Sequence, residues 1–505
     1  MAKPSFWQVS CALFVVCAVT AIGSSAQTLT TLASFNKSNG SGPYTGPLAQ
    51  GVDGNFYGTT VYGGTNCYPY GCGTVFKLSP QGTLTTLYSF CAQSNCTDGI
   101  YPYGGLVLGI DGNLYGTTSE GGTNIHAGTI FKISPTGKLT TIYSFCAQIN
   151  CTDGNYPTGR LVQGADGNFY GTTFSGGLKD AQYCASGCGT VFEVTPKGTL
   201  TLLHSFAGFD TEGSNPNAGL VQGKNGAFYG TTEFGGVYNL SCNAPLGCGT
   251  VFEITRQGTL TTLYSFAASS GDGTKPYAGL LYGTDGKFYG ATSEGGAGDD
   301  GTIFEIKPSG MLATIYNFCS QPDCTDGGDP VGDLIEATDG NLYGTAARGG
   351  AKFVGSIFRL TAGGRLTTLY SFCAQGYPDC PDGSFVYGGL LQATDGNFYG
   401  TTNEGGDLTC NSPEGCGTVF RLDASLGPFV RFLRNPARVG QMFGILGNEL
   451  SGTTGVSLNG TPASFKVVSD TFIKAIVPAG ATTGFVTVAT PSRTLTSNVP
   501  FHVVK

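Results

Sequence analysis

The feature that most constrains this chain is a motif that returns seven times. Asp-Gly-Asn-Phe-Tyr-Gly-Thr-Thr and its variants place a tyrosine at Tyr57, Tyr115, Tyr170, Tyr229, Tyr289, Tyr343 and Tyr399, at spacings of 58, 55, 59, 60, 54 and 56 residues. A second string, Gly-Thr-Val/Ile-Phe with one Ser variant, ends at Phe76, Phe131, Phe192, Phe252, Phe304, Phe358 and Phe420. A third, Leu-Thr-Thr-Leu-Tyr-Ser-Phe and its variants, ends at Phe35, Phe90, Phe145, Phe206, Phe266, Phe318 and Phe372. Self-similarity at a fixed period marks an architecture of stacked or radially repeated units.

Each period carries four strand signals. In the second they are residues 105–109, 114–118, 128–134 and 139–145, here lettered A to D. Thr, Val, Ile, Tyr and Phe fill them, as pleated surfaces prefer. Asp111-Gly112 joins A to B and Pro135-Thr136-Gly137 joins C to D, both turn chemistries. Four antiparallel strands per unit, repeated four to eight times, is the pattern of a β-propeller.

The ends of the array do not match. A D-type string at residues 29–35 precedes any A, B or C strand, and the last unit stops at strand C near Arg421-Leu422. Joining the spare strand to the incomplete unit completes a seventh blade and removes the exposed edges of an open array. The expectation is an all-β seven-bladed β-propeller closed by an N-terminal outer strand. Two rivals stay open: residues 429–432 as a degenerate D strand, and a linear stack with atypical terminal repeats.

Composition fits many short strands and Gly-rich turns. Gly is 83 of 505 residues, charged residues are 11% and the apolar fraction is 40%, too high for a disordered chain. The net charge is −8 with no Lys/Arg run in the body, so a phosphate backbone would meet no basic footprint and nucleic acid is excluded as a partner. Residues 1–26 read as a signal peptide: Lys3, an apolar run over 11–22, and small residues Ser24 and Ala26 before Gln27. Lipidation at Cys17 would follow the bulky Phe14-Val15-Val16, where small residues are expected. No second hydrophobic span follows, so no membrane span is expected, and the chain reads as secreted or extracytoplasmic (cell surface or periplasm).

Eighteen cysteines obey the same logic. Beyond Cys11 and Cys17, sixteen fall into eight close pairs: Cys67/Cys72, Cys91/Cys96, Cys146/Cys151, Cys184/Cys188, Cys242/Cys248, Cys319/Cys324, Cys373/Cys380 and Cys410/Cys416. Local pairs on an exported chain read as disulfides, each closing a short loop worth about 2 kcal/mol in the chain-entropy model. They are expected to stiffen their own loops rather than to join distant parts. A metal reading would need His or further Cys converging in threes or fours. Half the pairs lie in B-to-C loops and half in D-to-A loops, so all eight are expected on one face. That face carries the long, variable loops where recognition usually resides.

At these motifs the chain resembles the GloVer (Gloeobacter/Verrucomicrobia-type) tandem repeat of bacteria. The matching text is Asp111-Gly-Asn-Leu-Tyr-Gly-Thr-Thr118, then Gly-Gly, Gly128-Thr-Ile-Phe-Lys-Ile133 and Gly137-Lys-Leu-Thr-Thr-Ile-Tyr-Ser-Phe145, and the resemblance covers about residues 28–422. It implies an exported or surface protein. The propeller is expected over 27–424. Residues 427–505, which lack Cys and the Asp-Gly repeats, resemble an IPT/TIG domain, an Ig-like β-sandwich, through Gly447-x-x-Leu450, Asn459-Gly460, Val477-Pro478 and Gly484-Phe-Val-Thr-Val488. In exported proteins such a domain is a spacer or adhesive module.

Residues that could build a catalytic constellation are scattered. His126, His204 and His502 fall in separate places, so no triad forms, and His204 replaces the Tyr of a D strand. The repeated Asp53, Asp111, Asp166, Asp285, Asp339 and Asp395 read as turn residues, since Asn225 stands in for them in the fourth unit. Asp98, Asp153, Asp326 and Asp382 follow the D-to-A cysteines, and Glu120, Glu233, Glu294 and Glu404 stand at or next to the Gly-Gly of B-to-C loops. Together they form a candidate ligand rim on the disulfide face. No cofactor is expected beyond Ca²⁺, which such a rim would admit. Solvated loop acids or local turns are the plain alternative.

The expected function is a monomeric, non-catalytic binding or interaction protein, recognising glycan or protein ligands on the disulfide face. Two alternatives are a polysaccharide-active propeller enzyme (hydrolase or lyase) using acids such as Asp98, Asp153, Glu120 or Glu404, and a structural surface or matrix component.

Overall fold

The computed structural model describes residues 27–504 apart from Thr45 and the segments 125–126, 180–183, 209–211, 237–241, 243–246, 268–270 and 434–435. The expected signal peptide and His126 therefore lie outside the described residues. The described chain is all-β, with nine four-stranded antiparallel sheets, one two-stranded parallel pair and only short 3-10 turns. No helix among the described residues is long and apolar enough to cross a membrane.

Sheet 1 shows the plan: strands Ala49–Gln50 (A), Phe56–Thr60 (B), Thr74–Leu78 (C) and Leu84–Ser89 (D) pair in sequence order. Five further sheets, numbered 2 to 6, repeat it between residues 106 and 371. Sheet 7 takes A, B and C from Leu391–Gln392, Phe398–Thr402 and Thr418–Leu422, and its fourth strand is Leu29–Ser34. That strand runs antiparallel to Thr418–Leu422, with Leu29 opposite Leu422 and Ser34 opposite Thr418. The rival for this place, residues 429–432, goes elsewhere: Arg431–Phe432 pairs with Met442–Leu446 in a different sheet. Leu29–Ser34 carries the repeat's own D-strand sequence and pairs along the whole of Thr418–Leu422.

The seams between successive sheets are aromatic. The D-strand Phe of each sheet packs on the C-strand Phe of the next: Phe90 on Phe131, Phe145 on Phe192, Phe206 on Phe252, Phe266 on Phe304, Phe318 on Phe358 and Phe372 on Phe420, with centroids 5.2–5.5 Å apart. The same contact joins sheet 7 to sheet 1, Phe35 to Phe76 at 5.1 Å. Nearer the A strands, the B-strand Tyr of one sheet lies over the first B residue of the next, as in Tyr115 on Phe169 at 4.1 Å and Tyr399 on Phe56 at 4.0 Å. All of these tyrosines but the part-buried Tyr289 are buried, so they belong to the inter-sheet core. Six of their hydroxyls donate to the Asp of the A–B turn (Tyr57 to Asp53 at 2.7 Å, Tyr399 to Asp395 at 2.8 Å), while Tyr229 accepts from Asn225 Nδ2, which is the turn role read for the Asp-Gly motif.

A second seam device was not legible in the repeat text. The last A-strand residue, Gln or Glu in five of the seven sheets, reaches back to a turn N–H of the preceding sheet. Gln163 accepts from Ile110, Gln222 from Ala165, Glu336 from Thr284 and Gln392 from Thr338. Gln50 accepts from Thr394 N at 3.1 Å and donates to its hydroxyl at 2.9 Å, which ties sheet 1 to sheet 7 across 344 residues of sequence. Gln50→Ala leaves a buried N–H without a partner and is expected to cost about 1–3 kcal/mol in denaturant unfolding. Gln163→Ala, whose turn partner is exposed, is expected to cost less.

Residues 429–504 form two four-stranded sheets around one core that includes Val430, Phe443, Ile445, Leu458, Ile473, Val488 and Phe501. They rest on the A–B turns. Thr471 Oγ1 donates to Val52 O at 2.7 Å and Phe429 N donates to Thr394 O at 3.1 Å. The opposite end carries the long loops. Seven backbone bridges, from Ser41–Tyr62 to Ser384–Glu404, tie each D-to-A loop to the end of a B strand.

All eight cysteine pairs are bonded, and they lie in these loops. Cys67–Cys72, Cys184–Cys188, Cys242–Cys248 and Cys410–Cys416 are in B-to-C loops. Cys91–Cys96, Cys146–Cys151, Cys319–Cys324 and Cys373–Cys380 are in D-to-A loops. Eight disulfides belong to a chain that folds in an oxidising, extracytoplasmic environment.

The D-to-A disulfides close their own short loops, as expected, and the backbone of their second cysteines adds a contact to the neighbouring loop. Cys151 closes a 3-10 turn, Ile149–Cys151, and Cys380 is buried at 6% exposure. Both have left-handed backbone, as do Cys96 and Cys324. Each of these four carbonyls accepts two N–H groups. Cys151 O takes Gly154 N at 3.0 Å from its own loop and Gly177 N at 2.9 Å from the B-to-C loop of the next sheet. Cys380 O takes Gly383 N at 2.8 Å and Gly406 N at 3.1 Å in the same way. Cys96 repeats it with Gly99 and Gly122, and Cys324 with Gly327 and Gly350. The stapled loop thus also holds its neighbour, because its second cysteine must place a buried carbonyl against available donors.

Candidate functional site

The structure divides the eight candidate acids into two groups. Asp98, Asp153, Asp326 and Asp382 are fully buried. Asp98 accepts from Tyr88 Oη at 2.7 Å, Ala92 N at 2.9 Å and Gln93 N at 3.2 Å. Asp153, Asp326 and Asp382 do the same with Tyr143, Tyr316 and Tyr370 and the two N–H groups that open their loops. A buried carboxylate is stable only when it is hydrogen-bonded in this way. The expectation that these four acids bind ligand is therefore corrected: they brace the D-to-A loops and present no surface. Sheet 3 uses His204 and Glu212, 3.2 Å apart, in the same place, and Asp272 repeats the brace on Tyr264. Asp98→Ala is expected to lower stability by about 2–3 kcal/mol, read by thermal or denaturant melts, and to leave ligand affinity unchanged.

The four glutamates are part-buried. Glu233, Glu294 and Asp329 form an arc with Lys275 and Arg348: Lys275 Nζ lies 2.7 Å from Glu294 and Arg348 Nε 3.7 Å from Asp329. Burial raises the Glu233 and Asp329 carboxyls above their ordinary range, opposed by Lys275 and Arg348. Glu404 is raised by burial and by neighbouring Glu414. Glu120 faces Tyr101 and Tyr156, whose hydroxyls burial pushes up first and Glu120 second.

Facing the acids is an aromatic arc that the sequence reading did not single out. Tyr44 stacks on Tyr387 at 4.8 Å and meets Tyr103 edge-on at 5.5 Å, and Tyr62 meets Tyr101 at 5.6 Å. All are half-buried or, for Tyr62, 41% exposed, so their faces are accessible. Burial raises the Tyr44 and Tyr103 hydroxyls strongly, and neighbouring tyrosines raise them further.

One backbone position builds this mouth. Gly42, Tyr101, Tyr156, Asn215, Lys275, Asp329 and Phe385 occupy the same place in successive D-to-A loops, all with φ between +52° and +61°. A left-handed non-glycine residue costs about 1–2 kcal/mol and persists only where its surroundings hold it. Here it is clamped on both sides: Tyr101 N donates to Cys72 O, and the Tyr101 carbonyl accepts from Ser119 N, both at 3.0 Å. Asn215, Lys275 and Gly42 donate likewise to Cys188, Cys248 and Cys416. Four B-to-C disulfides thus anchor the carbonyls that hold the displayed residues of the next sheet. The signal available in the sequence was the following proline, present in six of the seven loops but not after Phe385.

Thr158, Asn217, Tyr277 and Val331 line a small void of about 30 Å³. Beneath lies a cavity of about 540 Å³ lined by A strands of all seven sheets and floored by Arg431, Phe432, Leu433 and Leu446. Among the described residues, the metal-type clusters are Cys67, Cys91 and Cys96, and Asp300, Cys319 and Cys324. Their sulfurs are bonded to sulfur and are not free to ligate.

Solved structures resemble the chain at low identity. The PQQ-bound aldose sugar dehydrogenase of Streptomyces coelicolor aligns over 79% of this chain and 98% of its own, at 12% identity and a TM-score of 0.34. A Lactobacillus plantarum protein aligns over 73% and 99%, at 15% identity and 0.41. A Bacteroides thetaiotaomicron protein of unknown function aligns over 72% and 86%, at 12% identity and 0.37. No curated protein matches the chain. The Gloeobacter/Verrucomicrobia repeat matches residues 17–183, 147–324 and 240–435, a continuous cover of all seven sheets, and the chain belongs to that family.

Proposed function

We propose that this is a secreted or cell-surface binding protein, a seven-bladed propeller over 27–424 that carries an Ig-like, IPT/TIG-type module over 427–505 and binds glycans at its disulfide-bearing mouth. The observation that carries the reading is the mouth itself. The C-terminal sheets lie against the A–B turns, and the opposite end combines the tyrosine arc with the arc of Glu233, Glu294 and Asp329. Tyrosine faces offer apolar area at little conformational cost, while carboxylates accept from hydroxyls. A sugar ring, apolar on its faces and hydroxylated at its edge, matches both. Cleavage of the signal before Gln27 would deliver the chain to the compartment its disulfides need.

A Ca²⁺ ion would compete with Lys275 and Arg348 for the same carboxylates, which favours hydroxyl recognition over metal coordination at this arc. The enzymatic alternative loses Asp98 and Asp153, whose oxygens are taken up inside their loops. It would rest on Glu233 and Asp329, whose raised carboxyls suit an acid role. A glycan array probed with the full mature chain, followed by turnover assays on each glycan bound, tests the proposal. Saturable binding without product supports it; product formation abolished by Glu233→Gln would replace it with the enzyme.

A further inference from the structure

Two arginines face the axial cavity, and one of them has no counter-charge. In the A strands, the residue before the conserved Leu is Gly or Pro in five sheets, but Arg160 in sheet 3 and Asp333 in sheet 6. Arg160 Nε donates to Leu106 O at 3.0 Å, and Asp333 accepts from Gly279 N at 2.8 Å. Both line the small void as well as the cavity. Arg431 enters from the floor, on the first strand of the C-terminal sheets. It is part-buried and lines the cavity, and among the described residues its guanidinium has no hydrogen-bond or ion partner. The charge that acts on it is Arg160, which is of like sign; with burial this pushes Arg431 down to about 10. The other carboxylate on the cavity wall, Glu336, is held by Thr284 N at 2.8 Å and Thr284 Oγ1.

A part-buried guanidinium that lacks a partner and stands near a second one is disfavoured by like-charge repulsion. Its five N–H donors form a planar fork that fits the oxygens of carboxylate or phosphate. We infer that the axial cavity is an oxyanion site, in which Arg431 from the C-terminal sheets and Arg160 from sheet 3 hold one small phosphate- or carboxylate-bearing ligand between them. The inference stands apart from the glycan reading, since it uses none of the mouth tyrosines.

The test uses the full mature chain in chloride, with inorganic phosphate, acetate or galacturonate added at matched ionic strength. Phosphate, or one of the carboxylates, is expected to raise Tm saturably by about 2–3 °C over chloride. Equilibrium dialysis of the active anion should give one per chain. The two classes of probe separate a free phosphate from an acid group borne by a sugar. Arg431→Gln is expected to raise Tm in chloride, because it removes an unpaired charge repelled by Arg160, and to abolish the anion response. Arg160→Gln, if the first variant does not fold, should weaken the response at least 10-fold in concentration. Equal shifts from every anion including chloride, no bound anion by dialysis, or an undiminished response in both variants would overturn the site.

Discussion

A chain lacking residues 27–35 will not reach a folded state. Its loss strips Thr418–Leu422 of five register pairs and leaves that strand an open edge. It also removes Phe35, fully buried against Phe76 at the seam between sheets 7 and 1. Phe35→Ala alone is expected to lower stability by about 3–5 kcal/mol, the range for a large buried aromatic. Far-UV circular dichroism and cooperative thermal melts read both variants. Grafting residues 28–36 behind Leu422 through a short turn supplies the same strand from the other side of the sheet's sequence. That permuted chain should regain the cooperative melt. Native-like stability in the truncated protein would mean that the pairing of Leu29–Ser34 is dispensable.

The second large effect concerns the mouth. Tyr44→Ala and Tyr387→Ala each remove one face of a stacked pair. The double variant is expected to weaken glycan binding by about 10- to 100-fold, as loss of a central aromatic anchor does. Titration calorimetry against the best array ligand measures it. Tm should fall far less than for Phe35→Ala, because both rings are only half-buried. Unchanged affinity in the double variant would move the ligand off the tyrosine arc. Cys67→Ala with Cys72→Ala offers a gentler probe: it frees the loop whose Cys72 carbonyl holds Tyr101.

The architecture was written in residues that repeat. The Tyr and Phe strings mark inter-sheet contacts that every seam must satisfy with the same side chains, so periodicity and packing coincide at Tyr399 and Phe420. The pairing of Leu29–Ser34 could be read because its sequence is that of a D strand in the wrong place. The site was hidden for the opposite reason. Tyr101, Asn215, Lys275 and Asp329 share a backbone conformation and no chemistry, so a search for recurring letters passes over them. Asp98 was misread because its partner Tyr88 lies ten residues upstream, across a loop whose closure is a tertiary fact. Cys151 and Cys380 were read for their sulfurs alone, yet their carbonyls reach Gly177 and Gly406 in another loop, and main-chain donors leave no mark in a cysteine count. Glu120, Glu233, Glu294 and Glu404 lie in B-to-C loops, and Glu294 is paired with Lys275.

The long-range pairing of Leu29 with Leu422 also sets a timetable. At synthesis rates of about 5–20 residues per second, the early strand is made on the order of 20–80 s before its partner exists. Throughout that interval its hydrogen-bonding edge is available to any other chain in the same state. Once in an oxidising compartment, cysteine pairs only four to seven residues apart can oxidise without waiting for the far terminus. The nascent molecule is thus a row of locally stapled units with a sticky leading end, and a holdase that shields that end should raise the yield of soluble protein more than an added oxidant would.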